Sequence, residues 1–406
     1  MILGPRLGIK SLIFYVSIFL LSITGLYSWI SASTRQYIGE ALQSIESDRI
    51  HQTPTANHLN GLTLEKAKEL CGLYNWPVYN NQQQQQQQQS WKGNPKTPPP
   101  PARKVYDIFL LNTELDWLEI RLNELNDHVD YFVIVEANTT FTDRPKPTLL
   151  TDPAIWAKFS RFHHKIIHHL VEGRGENERK AFDREKFQRD SGFTQVFPTL
   201  GRPDAKNPIA AKPAARPQLG DVILISDIDE IPRPATVTLL RTCGFPRRVN
   251  LRSRFYYYSF QWLHTGPDWA HPQATYYEGI DKTIKPDDLR MGRWGSSILH
   301  NSWFGGKADL FNASWHCSSC FATVKEMQTK IVSFSHTEYN RPEFISKEHI
   351  VEVVRTGKDL FDRPSQVYER VEANRDVPAY LKGEAEKKKF RYLLDRDGED
   401  GGFVDF

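Results

Sequence analysis

Asp227-Ile228-Asp229-Glu230 gathers three carboxylates at the end of the apolar run Val222-Ile223-Leu224-Ile225. Two carboxylates at D-x-D spacing, leaving a strand near one point, can share a hard divalent cation, which can in turn neutralise a diphosphate. When a nucleotide sugar is the donor, the leaving group is a nucleoside diphosphate, and charge grows on it in the transition state. Asp227 and Asp229 therefore read as metal ligands, and Glu230 as a general base for an acceptor hydroxyl, with Glu338 and Asp281 in reserve. A strand running into D-x-D also occurs in phosphohydrolases of the haloacid dehalogenase type, where the first Asp is the nucleophile. That fold opens with its motif, whereas here the folded sequence begins near Lys104, far upstream.

A second constellation is Trp315-His316-Cys317-Ser318-Ser319-Cys320-Phe321. C-x-x-C suits zinc, thiol redox chemistry or a local disulfide. No second ligand pair for zinc is apparent and no redox-type strand precedes it, so a Cys317–Cys320 disulfide is the most economical reading. His316 reads as a metal or diphosphate ligand, or equally as a hydrogen-bonded core histidine; His300 and His336 are weaker candidates. Sequons lie at Asn138-Thr139-Thr140 and Asn312-Ala313-Ser314. Asn138 directly follows a strand at the presumed cleft and reads as a structural or substrate-side residue, leaving Asn312 as the N-glycosylation acceptor.

These residues must be positioned by strands. Val105–Leu111, Tyr131–Val135, Ile166–Val171 and Asp221–Ser226 read as buried strands, and Leu115, Leu118, Leu122 and Leu125 fall at helical spacing after a Thr113 N-cap. A polar helix is expected over Glu176–Arg189, a Pro/Ala-rich insertion at 202–218, one long aromatic strand over Leu251–Trp262, and helices near Phe321–Ile331 and Lys347–Thr356. Strands alternating with helices imply an α/β, doubly wound, mostly parallel sheet that binds ligands beyond the carboxyl ends of its strands. Asn112-Thr113-Glu114, Glu136-Ala137-Asn138 and the acidic motif all stand at such ends.

The chain has 406 residues, 39% hydrophobic and 25% charged, with net charge +3, so nothing calls for nucleic acid as a partner. Ser11–Thr34 carries no charge. As a helix it would reach about 36 Å, enough for a hydrocarbon core of ~30 Å, and Arg6 and Lys10 before it favour a cytoplasmic N-terminus. Gln82–Gln89 and Pro98–Pro101 cannot bury enough apolar area to fold, apart from a short helix near Thr63–Leu73. The expected organisation is a cytoplasmic tail (1–10), a membrane anchor (11–34), a low-complexity stem (35–103), a catalytic domain (104–395) and a C-terminal tail (396–406).

Four stretches together resemble the family-17 glycosyltransferases, typified by β-1,4-mannosyl-glycoprotein 4-β-N-acetylglucosaminyltransferases. They are Leu115–Leu125, Val133–Thr142, Ile225–Pro232 and Trp315–Phe321. The resemblance implies a GT-A-like fold, a UDP-GlcNAc donor, a mannose-containing glycan or glycoprotein acceptor, inversion at the anomeric carbon and a divalent metal, usually Mn²⁺. It places Asp227 and Asp229 at the metal; Arg121 of the first stretch joins the strand-end residues Asn112, Glu114, Glu136 and Asn138 as the expected donor-binding set. With the flanking charges of Ser11–Thr34, the expected location is the Golgi membrane, as a type II protein with a luminal catalytic domain. A glycan-binding protein without activity is the non-enzymatic alternative.

Overall fold

The computed structural model describes residues 63–79, 103–175, 180–293 and 306–406. The expected anchor, the polyglutamine tract and His300 lie outside them. Among the described residues, no helix is long and apolar enough to cross a membrane. In chain order the body comprises α1 (Leu64–Gly72), β1 (Val105–Leu110), α2 (Leu115–Leu125), β2 (Tyr131–Glu136), β3 (Ile166–Leu170), α3 (Ala181–Thr194), β4 (Val222–Asp227) and β5 (Glu230–Pro232). It continues with α4 (Pro234–Thr242), β6 (Arg248–Tyr257), β7 (Ser259–His264), β8 (Gln273–Tyr276), α5 (Pro286–Arg290), β9 (Lys307–Ser318), α6 (Val324–Ser333), α7 (Lys347–Thr356) and β10 (Tyr368–Arg370). Shorter helical turns join some of these elements.

The strand order is β10-β7-β6-β8-β4-β1-β2-β3, with β9 pairing β6 and β5. The sheet is mixed rather than mostly parallel. The half β4-β1-β2-β3 is parallel throughout, whereas β8, β7 and β10 join antiparallel and only β6–β9 is parallel beyond β4. The division follows from the connections. Helical crossovers bring the chain back to start each parallel strand. After β6 the chain instead reverses at Tyr258, which takes a left-handed φ of +64°, so the expected single strand Leu251–Trp262 is a bent pair. Tyr258 holds this uncommon conformation because its ring is buried and its hydroxyl donates to the Lys358 carbonyl at 2.9 Å.

The alternation of β1 and β4 builds two cores. Phe109 and Leu224 face α2 and α4 with Leu118, Leu122 and Leu239, while Ile108 and Ile225 face α3 with Phe193 and Phe197. The contact with α3 is so close that a Cβ on Gly192 would lie 2.6 Å from the Ile108 side chain. A third core packs α6 and α7 against Tyr257, Tyr258 and Trp262. α7 carries both of its end signals, Ser346 accepting from the His349 N–H and Gly357 in the left-handed conformation.

Both expected domain limits move outward. α1 buries Ala67, Leu70 and Cys71, and Cys71 is joined to Cys243 across 172 residues, so residues 63–79 belong to the folded body. At the other end, fully buried Arg396 donates to the carbonyls of Tyr258 and Phe321, and Asp405 accepts from the first N–H groups of α6. The Pro/Ala-rich insertion is packed as well: Ala215 is buried and its carbonyl accepts the Tyr106 hydroxyl at 2.9 Å.

Candidate functional site

β4 delivers Asp227 beside the end of β1, where it pairs with Leu110. The chain then turns through Ile228 and Asp229 into β5, whose Glu230 lies directly across from His316 of β9. Beneath this turn sits Arg121 of α2, with its side chain fully buried. It grips both oxygens of buried Asp107 at 2.8 and 2.7 Å, donates to Ser226 Oγ at 2.5 Å, and reaches the carbonyls of Asp227, Ile228 and Glu230. Arg121 therefore holds the loop from below and has no path to a donor, which corrects its expected binding role.

Glu230 is also fully buried. Its Oε2 accepts from the Asp227 N–H (2.9 Å) and Arg290 (2.8 Å), and its Oε1 from Arg290 (2.8 Å) and the Trp269 indole (2.6 Å). Burial alone would raise its pKa, but Arg290 against both oxygens holds the carboxyl well below the usual range. A carboxylate so occupied presents no oxygen to an acceptor hydroxyl, so Glu230 braces the motif instead of acting as its base. Asp281 is no closer to that role. It follows β8, whose Tyr276 pairs with Val222 at the start of β4, the end opposite the motif.

Asp227 is the most open of the three, with its side chain 39% exposed. Arg290 meets its Oδ2 at 2.7 Å and Arg189 its Oδ1 at 3.3 Å. Asp229 Oδ2 faces Lys330 Nζ at 3.7 Å and His316 Nε2 at 3.8 Å. Burial would raise the Asp229 pKa, but Lys330 and His316 outweigh it and the net shift is downward. His316 Nδ1 is buried without a hydrogen-bond partner, and its ring stacks on Phe255. Nearby His271 is driven down to about 3 by burial and by Arg290, so it is neutral at physiological pH. The Cys317–Cys320 disulfide braces the loop behind, where the Cys317 N–H donates to the Asp229 carbonyl.

The remaining expected donor residues separate. Asn112 and Glu114 stand at the end of β1 next to the motif, and Glu114 accepts the N–H groups of Asn112 and Thr113 at 3.1 and 2.8 Å. α2 thus begins after Glu114, and Thr113 is not its cap. Glu136 is fully buried and ties the Leu149 and Leu150 N–H groups and His168 together, a structural duty. Asn138 is exposed. Asn312, by contrast, is 4% exposed and its Oδ1 accepts from Arg233 at 2.5 Å, so the expected glycan has no room there.

Arg189, Arg290, Lys330 and Trp269 were not foreseen. Only Arg189 left a trace in sequence, as the partner of Glu185 one helical turn away. The others arrive from distant elements. The site is thus a set of carboxylates at a strand end, compensated by three cations.

A profile of glycosyltransferase family 17 matches residues 8–398. β-1,4-mannosyl-glycoprotein 4-β-N-acetylglucosaminyltransferases of Rattus norvegicus, Homo sapiens and Mus musculus are each 26% identical over 325 residues, 72% of this chain and 55% of theirs. The chain thus spans little more than half the length of these relatives. On a match that runs through nearly the whole described body and includes the acidic turn, the chain belongs to glycosyltransferase family 17.

Proposed function

We propose that the protein is an inverting glycosyltransferase that moves N-acetylglucosamine from UDP-GlcNAc to a mannose-containing glycan of a glycoprotein. In this reading it is held in the Golgi membrane by residues 11–34, with its catalytic body luminal. The observation that carries the proposal is the meeting of Asp227 and Asp229 with Arg189, Arg290 and Lys330 beyond the carboxyl end of β4. Open α/β sheets bind nucleotides at such an edge, and cations there suit a departing diphosphate. The names of the matched relatives support the sugar and acceptor class.

Two carboxylates and an imidazole form a donor set that fits manganese, and Asp229 and His316 already face each other. Among the described residues, no three such groups converge on one point. Asp227, Asp229 and His316 would hold the ion, which would supply positive charge to the leaving diphosphate. The protein's own contribution is clearer. Arg121 and Glu230 fix the turn, and Arg290 and Lys330 add charge beside it. Of the expected bases Glu338 stays open, 54% exposed on the segment after α6 and paired with His336 at 2.8 Å. The phosphohydrolase reading fares worse, since a nucleophilic Asp227 would have to attack while paired with two arginines.

Incubation with labelled UDP-GlcNAc and a mannose-containing glycopeptide should yield labelled glycopeptide and UDP. Phosphate release with a trapped phosphoaspartate, and no transfer, would favour hydrolysis instead.

A further inference from the structure

Beyond His316, on the antiparallel side of the sheet, lies a run of rings that the transfer chemistry has not used. Phe255 of β6 pairs with His316 of β9, their rings stacked at 5.0 Å with 11° between planes. Trp269, in the loop between β7 and β8, lies 5.7 Å from Phe255 and 5.1 Å from His316. Tyr368, on edge strand β10, meets Phe255 edge-on at 6.2 Å. All three residues are partly exposed, although Phe255 and Tyr368 also lean on the third core, where Tyr368 stacks on buried Tyr257 at 4.8 Å. Trp269 belongs to none of the three hydrophobic cores, yet it is fixed by its indole N–H, which donates to Glu230 Oε1 at 2.6 Å. A large ring outside any core, held by hydrogen bond to the motif's own carboxylate, is positioned for something other than packing.

We infer that Phe255, Trp269 and Tyr368 form the stacking platform for the acceptor glycan, an inference that rests on the transferase reading above. A pyranose offers a face of C–H bonds, weakly positive, to the negative face of an aromatic ring. The cations suited to a diphosphate, Lys330, Arg189 and Arg290, gather around Asp227 and Asp229. The rings lead away from that point through His316 along β6 and β10. Donor and acceptor thus meet at Asp229 and His316. Because Trp269 is anchored to Glu230, the element that braces the donor motif also sets the angle of the platform.

The test uses the full chain in detergent, with Trp269→Ala, Trp269→Phe and Tyr368→Ala. Two quantities are read: retention on an array of mannose-containing glycans without donor, and UDP-GlcNAc affinity. Loss of one stacked ring should weaken glycan retention by ~10-fold, equivalent to about 1.4 kcal/mol. Trp269→Phe should keep much of it, and Tyr368→Ala, which leaves the Trp269–Glu230 hydrogen bond in place, should hold UDP-GlcNAc affinity within about twofold of wild type. Unchanged glycan retention in both alanine variants would overturn the inference, and so would loss of UDP-GlcNAc affinity in its place in Tyr368→Ala, which would make the rings a nucleotide platform. If Trp269→Ala does not fold, Tyr368→Ala on the edge strand carries the test alone. Failure of the transferase reading appears separately, as wild-type protein that retains glycans but transfers no label.

Discussion

Replacing Arg121 by methionine distinguishes a residue that binds donor from one that holds the site up. The guanidinium is fully buried and satisfies Asp107, Ser226 and three carbonyls of the acidic turn. Methionine fills similar volume but leaves Asp107 buried and charged without a partner. Breaking a buried pair in this way costs about 3–5 kcal/mol. For a body of this size, each kcal/mol lowers Tm by about 2 °C, so the variant should melt roughly 6–10 °C below wild type. Adding Asp107→Asn removes the orphaned charge and should recover part of that loss, a non-additivity expected of residues in contact. Thermal unfolding followed by near-UV circular dichroism, at one scan rate for all three proteins, reads the effect. If Arg121→Met melts within about 1 °C of wild type and only its UDP-GlcNAc affinity falls, the buried brace is wrong and Arg121 is a donor residue after all.

Other consequences follow from the same structure. A protein starting at residue 63 should fold, whereas one starting at 104 leaves Cys243 unpaired and uncovers the Leu70 site. Loss of that long disulfide loop alone should cost about 4–5 kcal/mol, visible as a lower Tm or insoluble expression. His271 has a folded pKa of about 3 against an unfolded ~6.5, so the unfolded chain binds the extra proton between those values. Its contribution is therefore full above pH ~6.5 and falls as pH drops, by up to ~1.4 kcal/mol per unit, a slope that His271→Gln should flatten in denaturant titrations. Mass spectrometry of secreted protein before and after glycan removal should find Asn312 unmodified, and a glycan there would contradict its burial against Arg233.

Much of the fold was legible because its central strands are continuous apolar runs and α7 has unambiguous end signals. The mixed character of the sheet was not, since a long aromatic run such as Leu251–Trp262 does not reveal that Tyr258 turns left-handed inside it. At the site, the carboxylates could be read from local spacing, but their counter-charges could not. Arg290 and Lys330 come from separate helices that only the tertiary fold brings to the motif. Arg121 and Asp107 did leave a sign, a charge in the apolar stripe of α2 and another in the middle of β1. Two charges buried on facing elements point to each other more readily than to a ligand. Family likeness drew attention to Arg121, while burial decided what it does.

In the proposed reaction Asp227 and Asp229 serve sugar-nucleotide transfer through charge at the leaving diphosphate. This role is tested most directly by Asp229→Asn, which keeps the size of the side chain and removes its charge. The assay is label transfer from UDP-GlcNAc to a mannose-containing glycopeptide with manganese, with EDTA, and with manganese restored. The expected result is a folded variant whose turnover falls at least ~100-fold, and wild-type transfer that stops with EDTA and returns with metal. A well-folded Asp229→Asn protein with near-normal, EDTA-insensitive transfer would contradict it.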